Sequence, residues 1–214
     1  MKIIAVNVGQ LARVEINGRP ITTGINKLPV ASAVWLRKLG FDGDQQADLT
    51  VHGGEHQAAY CYPCEHYAHW QSVLGRTEPL TFGTFGENLT TIGLLETEVY
   101  IGDVYRFGKA LVQVTAPRVP CFKFGHKIGR PDILKEFLHS GYSGFYLRVL
   151  EEGRIAAGDD ISLVERDPAA ITVRMILGLQ KLSEGDGHFL RKALLIQNLE
   201  PRLKRELEAR LAEV

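Results

Sequence analysis

Glu98-Val99-Tyr100-Ile101-Gly102-Asp103-Val104-Tyr105-Arg106-Phe107-Gly108-Lys109-Ala110-Leu111-Val112-Gln113-Val114-Thr115 sets three short β-branched and aromatic runs between two turn signals, Gly102-Asp103 and Gly108-Lys109. Such runs, cut by glycine every few residues, read as successive strands: Val99-Ile101, Val104-Phe107 and Leu111-Thr115. The pattern continues outward in both directions. Met1 to Val8 reads as a first strand rather than a signal peptide. Leu11 to Ile16 and the residues after Asn17-Gly18 read as a hairpin, because Asn-Gly supplies the positive φ of a type I′ turn. Phe145 to Val149 and Ile161 to Val164 add two more strands. Many short strands at this spacing predict a mainly β body, closed or partly closed into a barrel with a few interspersed helices.

Pro63 is expected to open the first helix, with Tyr67, Trp70 and Leu74 on one face and Gly75 as a stop. Pro131 opens the second, whose stripe Ile133, Leu134, Phe137 and Leu138 ends at Gly141. After Arg166-Asp167-Pro168 the strand pattern stops and three helices are expected. The first is capped by Thr172 and runs through Leu177, and the second covers about His188 to Leu195. The third starts at Pro201, with Leu203, Leu207 and Leu211 in register. The expected organisation is therefore a β-barrel domain over 1–166 and a small three-helix domain over 168–214. The latter has a thin core and is expected to pack on the barrel or on a second subunit.

The chain has 214 residues, 45% of them hydrophobic and 23% charged, with a formal net charge of zero. This balance carries no basic signature for nucleic acid, and the tail holds eight Lys/Arg against six Asp/Glu without clustering them. No run approaches the roughly 18 apolar residues that span a bilayer. Three cysteines are too few and odd in number for a disulfide framework, so a reducing, cytoplasmic setting is expected.

Chemistry concentrates in three stretches. In Thr115-Ala116-Pro117-Arg118-Val119-Pro120-Cys121-Phe122-Lys123-Phe124, two prolines fix φ and remove donors, which argues against an interior strand or a helix. The stretch presents the Cys121 thiol between Arg118 and Lys123, cations that favour the reactive thiolate. The plain alternative is a small buried hydrophobe beside Val119 and Phe122. In Gly43 to Gly54, polar side chains precede Gly53-Gly54, whose backbone can come close to a ligand, with His52 as an added donor. An ordinary turn explains it equally. In Thr84 to Thr90, Glu87 and Asn88 break an apolar, glycine-containing context and suggest specific hydrogen bonds, or simply a turn held by an Asx bond. Cys61-Tyr62-Pro63-Cys64 is a C-x-x-C with His56, His66 and His69 nearby, but no second ligand pair follows, so two incidental cysteines are the simpler reading.

Gly43-Asp44-Gln45-Gln46-Ala47-Asp48 with Val51-His52-Gly53-Gly54, then Tyr62-Pro63 with Glu65-His66-Tyr67, then Phe85-Gly86-Glu87-Asn88-Leu89-Thr90-Thr91 with Gly93-Leu94, then Ile101-Gly102-Asp103, then Pro117-Arg118 with Pro120-Cys121 and Lys123 occur in that order. Together they resemble the YiiM-type branch of the MOSC family, named for the C-terminal part of molybdenum cofactor sulfurases. The resemblance covers nearly the whole chain, including the three-helix tail. It implies a β-barrel core, a bound molybdenum–pyranopterin cofactor (molybdenum cofactor), and Cys121 as the molybdenum ligand and a catalytic residue. It implies reduction of N-hydroxylated purines, other N-hydroxylated bases or amidoximes to amines, with two electrons from a separate reductase. On this reading Arg118 and Lys123 balance the cofactor's negative charge, Gly53 and Gly54 offer backbone donors, His52 is a hydrogen-bond or proton donor, and Asn88 fixes the cofactor tail or the substrate. Asp44 and Asp48 are as readily loop braces. Gln57 departs from the pattern, standing where YiiM-type proteins often carry lysine, and Cys61 and Cys64 lie outside it. A homodimer is the ordinary expectation. Two other readings compete with the reductase: a cofactor or sulfur carrier that uses Cys121 without turnover, and a zinc or thiol-redox protein that uses Cys61 and Cys64.

Overall fold

The computed structural model describes residues 1–47, 53–179, 187–197 and 199–213. The chain enters as β1 (Lys2–Val8) and turns through the hairpin β2 (Ala12–Ile16) and β3 (Arg19–Thr23). Asn17 and Gly18 sit at φ 51° and 73° at its tip, the left-handed pair that the type I′ turn requires. Short pieces β4 (Leu28–Pro29), β5 (Val34–Arg37) and β6 (Gly40–Phe41) precede β7 (Ala59–Pro63), α1 (Tyr67–Val73) and β8 (Leu89–Ile92). β9 (Val104–Phe107) and β10 (Ala110–Pro117) lead into α2 (Phe122–Ile128) and α3 (Ile133–Ser140). The chain continues through β11 (Phe145–Glu151), β12 (Gly153–Ile155), β13 (Ile161–Glu165), α4 (Val173–Leu179), α5 (Gly187–Ala193) and α6 (Pro201–Leu211).

Eight strands form one sheet in the order β13, β9, β10, β11, β7, β8, β1, β4. Neighbours are antiparallel except β7 and β8, which run parallel because the crossover through α1 returns the chain to the same end. β12, β5 and β6 form a second small sheet. The expected barrel is corrected here: the main sheet is open. Its curl brings the start of β1 against the start of β13 through Ile3 N to Asp159 O and Ile161 N to Met1 O, both 3.0 Å, and a single bridge between Lys2 and Asp160. One bridge is not a ladder. At the far edge β4 stops after two residues, one of them Pro29, which has no N–H to pass on. The architecture is mixed, with more strand than helix.

Three local expectations also change. Val99-Ile101 is a single bridge, Tyr100 to Thr172, rather than a strand: Ile101 N bonds to Ile171 O (2.9 Å) and Val99 N to Leu95 O (3.0 Å), and no ladder continues from it. Pro63 ends β7, and α1 begins only after a 3-10 turn over Cys64–His66. The Cys121 stretch, expected to be neither interior strand nor helix, is bounded by both. β10 runs through Pro117, which is tolerated because β9 pairs with β10 only as far as Gln113, and Phe122 already opens α2.

Elsewhere α3 opens at Ile133 rather than Pro131, α4 runs on to Leu179 and α5 ends at Ala193, while the cap and stop residues stand as expected. Thr172 Oγ1 accepts from Met175 N (3.1 Å) at the start of α4, Gly141 closes α3 at φ 72°, and Glu200 Oε2 accepts from Leu203 N (2.7 Å) in front of Pro201. Apolar residues of α4, α5 and α6, among them Ile176, Leu190, Leu203 and Leu207, belong to the same buried cluster as the sheet interior. A second, aromatic cluster joins Tyr60, Tyr62, Trp70, Phe85, Phe124 and Phe137 where α1, α2 and α3 meet the sheet. Among the described residues no helix is long and apolar enough to cross a membrane.

Candidate active site

Strand register assembles the site. Ala116, Tyr146 and Tyr60 are aligned partners across β10, β11 and β7, so their side chains project to one face. A bulge between Val114 and Ala116 sets this alignment, and Arg118 lies two residues beyond Ala116. In the parallel neighbour, Asn88 N donates to Tyr60 O (2.9 Å) just before β8 begins. Tyr60, Tyr146, Asn88 and Arg118 thereby reach the wall of one open cavity of about 110 Å³.

Arg118 is almost fully buried, its guanidinium carbon 4.9 Å from the ring centroids of Tyr60 and Phe124 and 5.6 Å from that of Phe137. These ring faces favour the cation. Burial works to lower its pKa, but Tyr60, Tyr146 and Cys121 outweigh it and the charge is held. Nη1 is buried and has no hydrogen-bond partner among the described residues. A buried donor left unmade costs on the order of 1–3 kcal/mol. Arg118 lines the cavity and so brings a held positive charge to its wall.

Cys121 stands next, half-buried at the cavity wall, with extended backbone (φ −114°, ψ 171°) as the N-cap residue in front of α2. Lys123 also lines the cavity while its Nζ donates to Thr22 O (3.3 Å). Val119 lines the cavity and is 47% exposed. Tyr60 and Tyr146 stay protonated, because burial pushes both hydroxyls up. The Tyr60 hydroxyl donates to Ser143 O at 2.7 Å.

The opposite wall rests on a buried ion pair. Lys27 Nζ, 8% exposed, donates to both oxygens of Asp44, 2% exposed. Asp44 also accepts from Gly9 N (2.8 Å) and Asn88 Nδ2 (2.9 Å). Asn88 in turn donates to Asn7 O (3.3 Å) and accepts from Tyr60 N (3.2 Å), so its amide holds β1, β7 and the Asp44 loop together. Glu87 is sealed below, accepting from Gly83 N (2.7 Å), Phe85 N (3.0 Å), Thr90 Oγ1 (2.9 Å) and the Tyr67 hydroxyl. Gly24 lets the Asp44 loop close in, since a Cβ there would lie 2.0 Å from Gln45 O.

Cys121, Arg118, Lys123, Asn88 and Gly53, which the sequence singled out, therefore line one cavity, and so does Gln57. Gly54 stands beside Gly53 at φ 77° with open space where a Cβ would be. His52 and Asp48 lie outside the described residues. Sequence reasoning missed Lys27, Tyr60 and Tyr146. Only a lysine in the segment Ile25 to Val30 hinted at the first, Tyr146 read as an ordinary strand residue, and no pattern singled out Tyr60. Cys61 faces the core from β7, its thiol pushed up by burial despite the contact with Thr91 Oγ1 (3.4 Å). Cys64 is pushed up to about 11 by burial and the neighbouring Glu65. Both are poor thiolates, and among the described residues no three His, Cys, Asp or Glu side chains cluster to hold a metal ion.

The MOSC domain model matches residues 48–162. An uncharacterized protein of Bacillus subtilis, YflK, is 45% identical over 172 residues, covering 80% of this chain and 77% of YflK. Protein YiiM of Escherichia coli is 39% identical over 150 residues, covering 70% of this chain and 66% of YiiM. A Gibberella moniliformis protein named Reductase is 35% identical over 167 residues, 77% of this chain but 29% of that longer protein. The crystal structure of YiiM from Geobacillus stearothermophilus superposes with a TM-score of 0.82 at 36% identity, covering 98% of each chain.

Proposed function

This chain belongs to the MOSC domain family, and on that premise we propose that it is a molybdenum-cofactor-dependent reductase converting N-hydroxylated compounds to amines. The supporting observation is that Cys121 lines the same cavity as Arg118, whose buried Nη1 has no partner among the described residues. A soft thiolate suits a transition metal, and a buried guanidinium with an unused donor suits the anionic part of a pyranopterin. The residues present thus fit the group: Cys121 would hold the metal, Arg118 and Lys123 would neutralise the cofactor's charge, and Gly53 would let it approach the backbone. The bound cofactor supplies the two-electron redox chemistry.

The chain's own side chains bind, orient and hold protons. Tyr60 and Tyr146 stay neutral and exclude water from the inner wall. Lys27, its pKa lowered by burial against the support of Asp44, holds a transferable proton on Nζ at the opposite wall. The overall reaction balances as R–NH–OH plus two electrons and two protons giving R–NH2 and water. The electrons come from a separate reductase protein. Gln57 leaves the cavity one cation poorer than a lysine there would.

The test is elemental analysis for molybdenum and zinc on protein made in a host that synthesises the cofactor, followed by reduction of an N-hydroxylated purine with a chemical electron donor. Near-stoichiometric molybdenum and turnover are expected, both lost in Cys121→Ala. Molybdenum without turnover on any N–OH compound would favour a cofactor carrier, and absence of molybdenum from the wild type would overturn both readings.

A further inference from the structure

A second pocket of about 210 Å³ lies between the β2–β3 hairpin and α2. It shares Thr23, Ile25 and Lys123 with the wall of the Cys121 cavity, so the two are adjoining compartments of one groove. Lys123, His126 and Lys127 line it from α2 at i, i+3 and i+4, the spacing that places side chains on one helix face. Val14 and Ile16 form the hairpin wall, and none of the residues lining the pocket is acidic, in a chain whose Lys/Arg and Asp/Glu number 25 each.

The ammonium groups are anchored. Lys127 Nζ donates to Ile25 O and Gly83 O at 2.9 and 2.5 Å, which leaves one hydrogen unspent. Lys123 Nζ spends one of its three on Thr22 O. Burial brings Lys127 down to about 8, so it is still mainly charged at neutral pH. Two ammonium groups with spare donors, with the His126 ring beside them, exceed what a single carboxylate can satisfy and match a phosphate dianion. From Cys121 to Lys127 the helix advances roughly 9 Å at about 1.5 Å per residue. That reach is comparable with a nucleoside monophosphate from base to phosphate.

We propose that this basic pocket holds the phosphate of the substrate, so that the compound presented to Cys121 is an N-hydroxylated nucleotide rather than a free base. The inference rests on the reductase reading for the chemistry at Cys121, but the phosphate contact stands on the groove alone.

The experiment is isothermal titration calorimetry of the full chain, purified from the cofactor-producing host, with adenosine and with adenosine 5′-monophosphate. These are amines of the product type, so no turnover is needed. The monophosphate is expected to bind at least about tenfold more tightly than adenosine, the size of one or two charge-assisted hydrogen bonds. His126→Glu, at an exposed position, puts a carboxylate into the groove and should cut that preference to about threefold or less while leaving adenosine binding unchanged. Lys127→Met, with its fold checked by circular dichroism, should do the same. Equal binding of the two probes, or an undiminished preference in His126→Glu, overturns the inference. A loss of bound molybdenum in His126→Glu with the nucleotide preference intact also overturns it, since the groove would then serve the cofactor's phosphate. A nucleotide preference without reductase activity sinks only the reductase reading. Reductase activity without the preference sinks only this one.

Discussion

Asp44→Asn tests the construction of the cavity wall most directly. Asp44 and Lys27 are 2% and 8% exposed, and the carboxylate takes bonds from Lys27, Gly9 N and Asn88 Nδ2. An asparagine keeps the shape and one oxygen, but it turns an N–H toward one of those donors and removes the charge that compensates Lys27. Removing one member of a buried pair costs about 3–5 kcal/mol. Lys27 can limit that cost by giving up its proton, because burial already lowers its pKa and Asp44 is the main influence holding it up. The expected loss at pH 7 is therefore near the low end, about 3 kcal/mol, or a fall in Tm of roughly 6–12 °C at about 2–4 °C per kcal/mol. Urea unfolding followed by circular dichroism measures it. The loss should shrink as pH rises toward 10, and Lys27→Met combined with Asp44→Asn should recover part of it, giving a clear coupling energy in the double-mutant cycle. A single-variant loss below about 1 kcal/mol, or strict additivity of the two changes, would refute the buried-pair argument.

In the unfolded chain Lys127 binds its proton below about 10.5, and in the folded chain only below about 8. The unfolded state holds the extra proton between those values, so this residue's contribution to stability rises as pH climbs from 8 to 10.5, by roughly 3 kcal/mol at 1.36 kcal/mol per unit. Lys127→Met should flatten that slope in urea titrations, and an unchanged slope would count against the assignment. Gly24→Ala sets a Cβ against the Gln45 carbonyl, where no rotamer offers relief, and should destabilise by about 1–3 kcal/mol while pushing the Asp44 loop off the cavity. A loss within error of zero by the same assay would show that the close approach is dispensable. Cys64, with its pKa near 11, should react slowly with iodoacetamide at pH 8, and Cys64→Ser should keep its metal content, as read by mass spectrometry and elemental analysis. Loss of metal in Cys64→Ser would revive a role for the C-x-x-C.

What the sequence by itself determined is local. The Asn17-Gly18 hairpin, the Gly141 stop, the Thr172 cap and the Pro201 start depend on the φ preferences and capping groups of a few adjacent residues, and each stands where the pattern placed it. Cys121 between Arg118 and Lys123 was legible for the same reason, and so was the family resemblance. The C-terminal helices were legible as periodic stripes, and the sheet interior against which they pack is one of the two surfaces expected for them.

Tertiary structure decided the rest. Lys27 meets Asp44 across 17 residues, Asn88 meets Asp44 across 44, and Tyr60 faces Tyr146 only because β7 and β11 are neighbours in that register. The sheet stays open because two residues of β4 and a single bridge cannot complete a ladder, a matter of distant hydrogen bonds and not of local preference. Residue type and spacing report on torsions and periodicity, whereas a buried ion pair and an unspent guanidinium donor arise only when separate strands are brought together and water is removed.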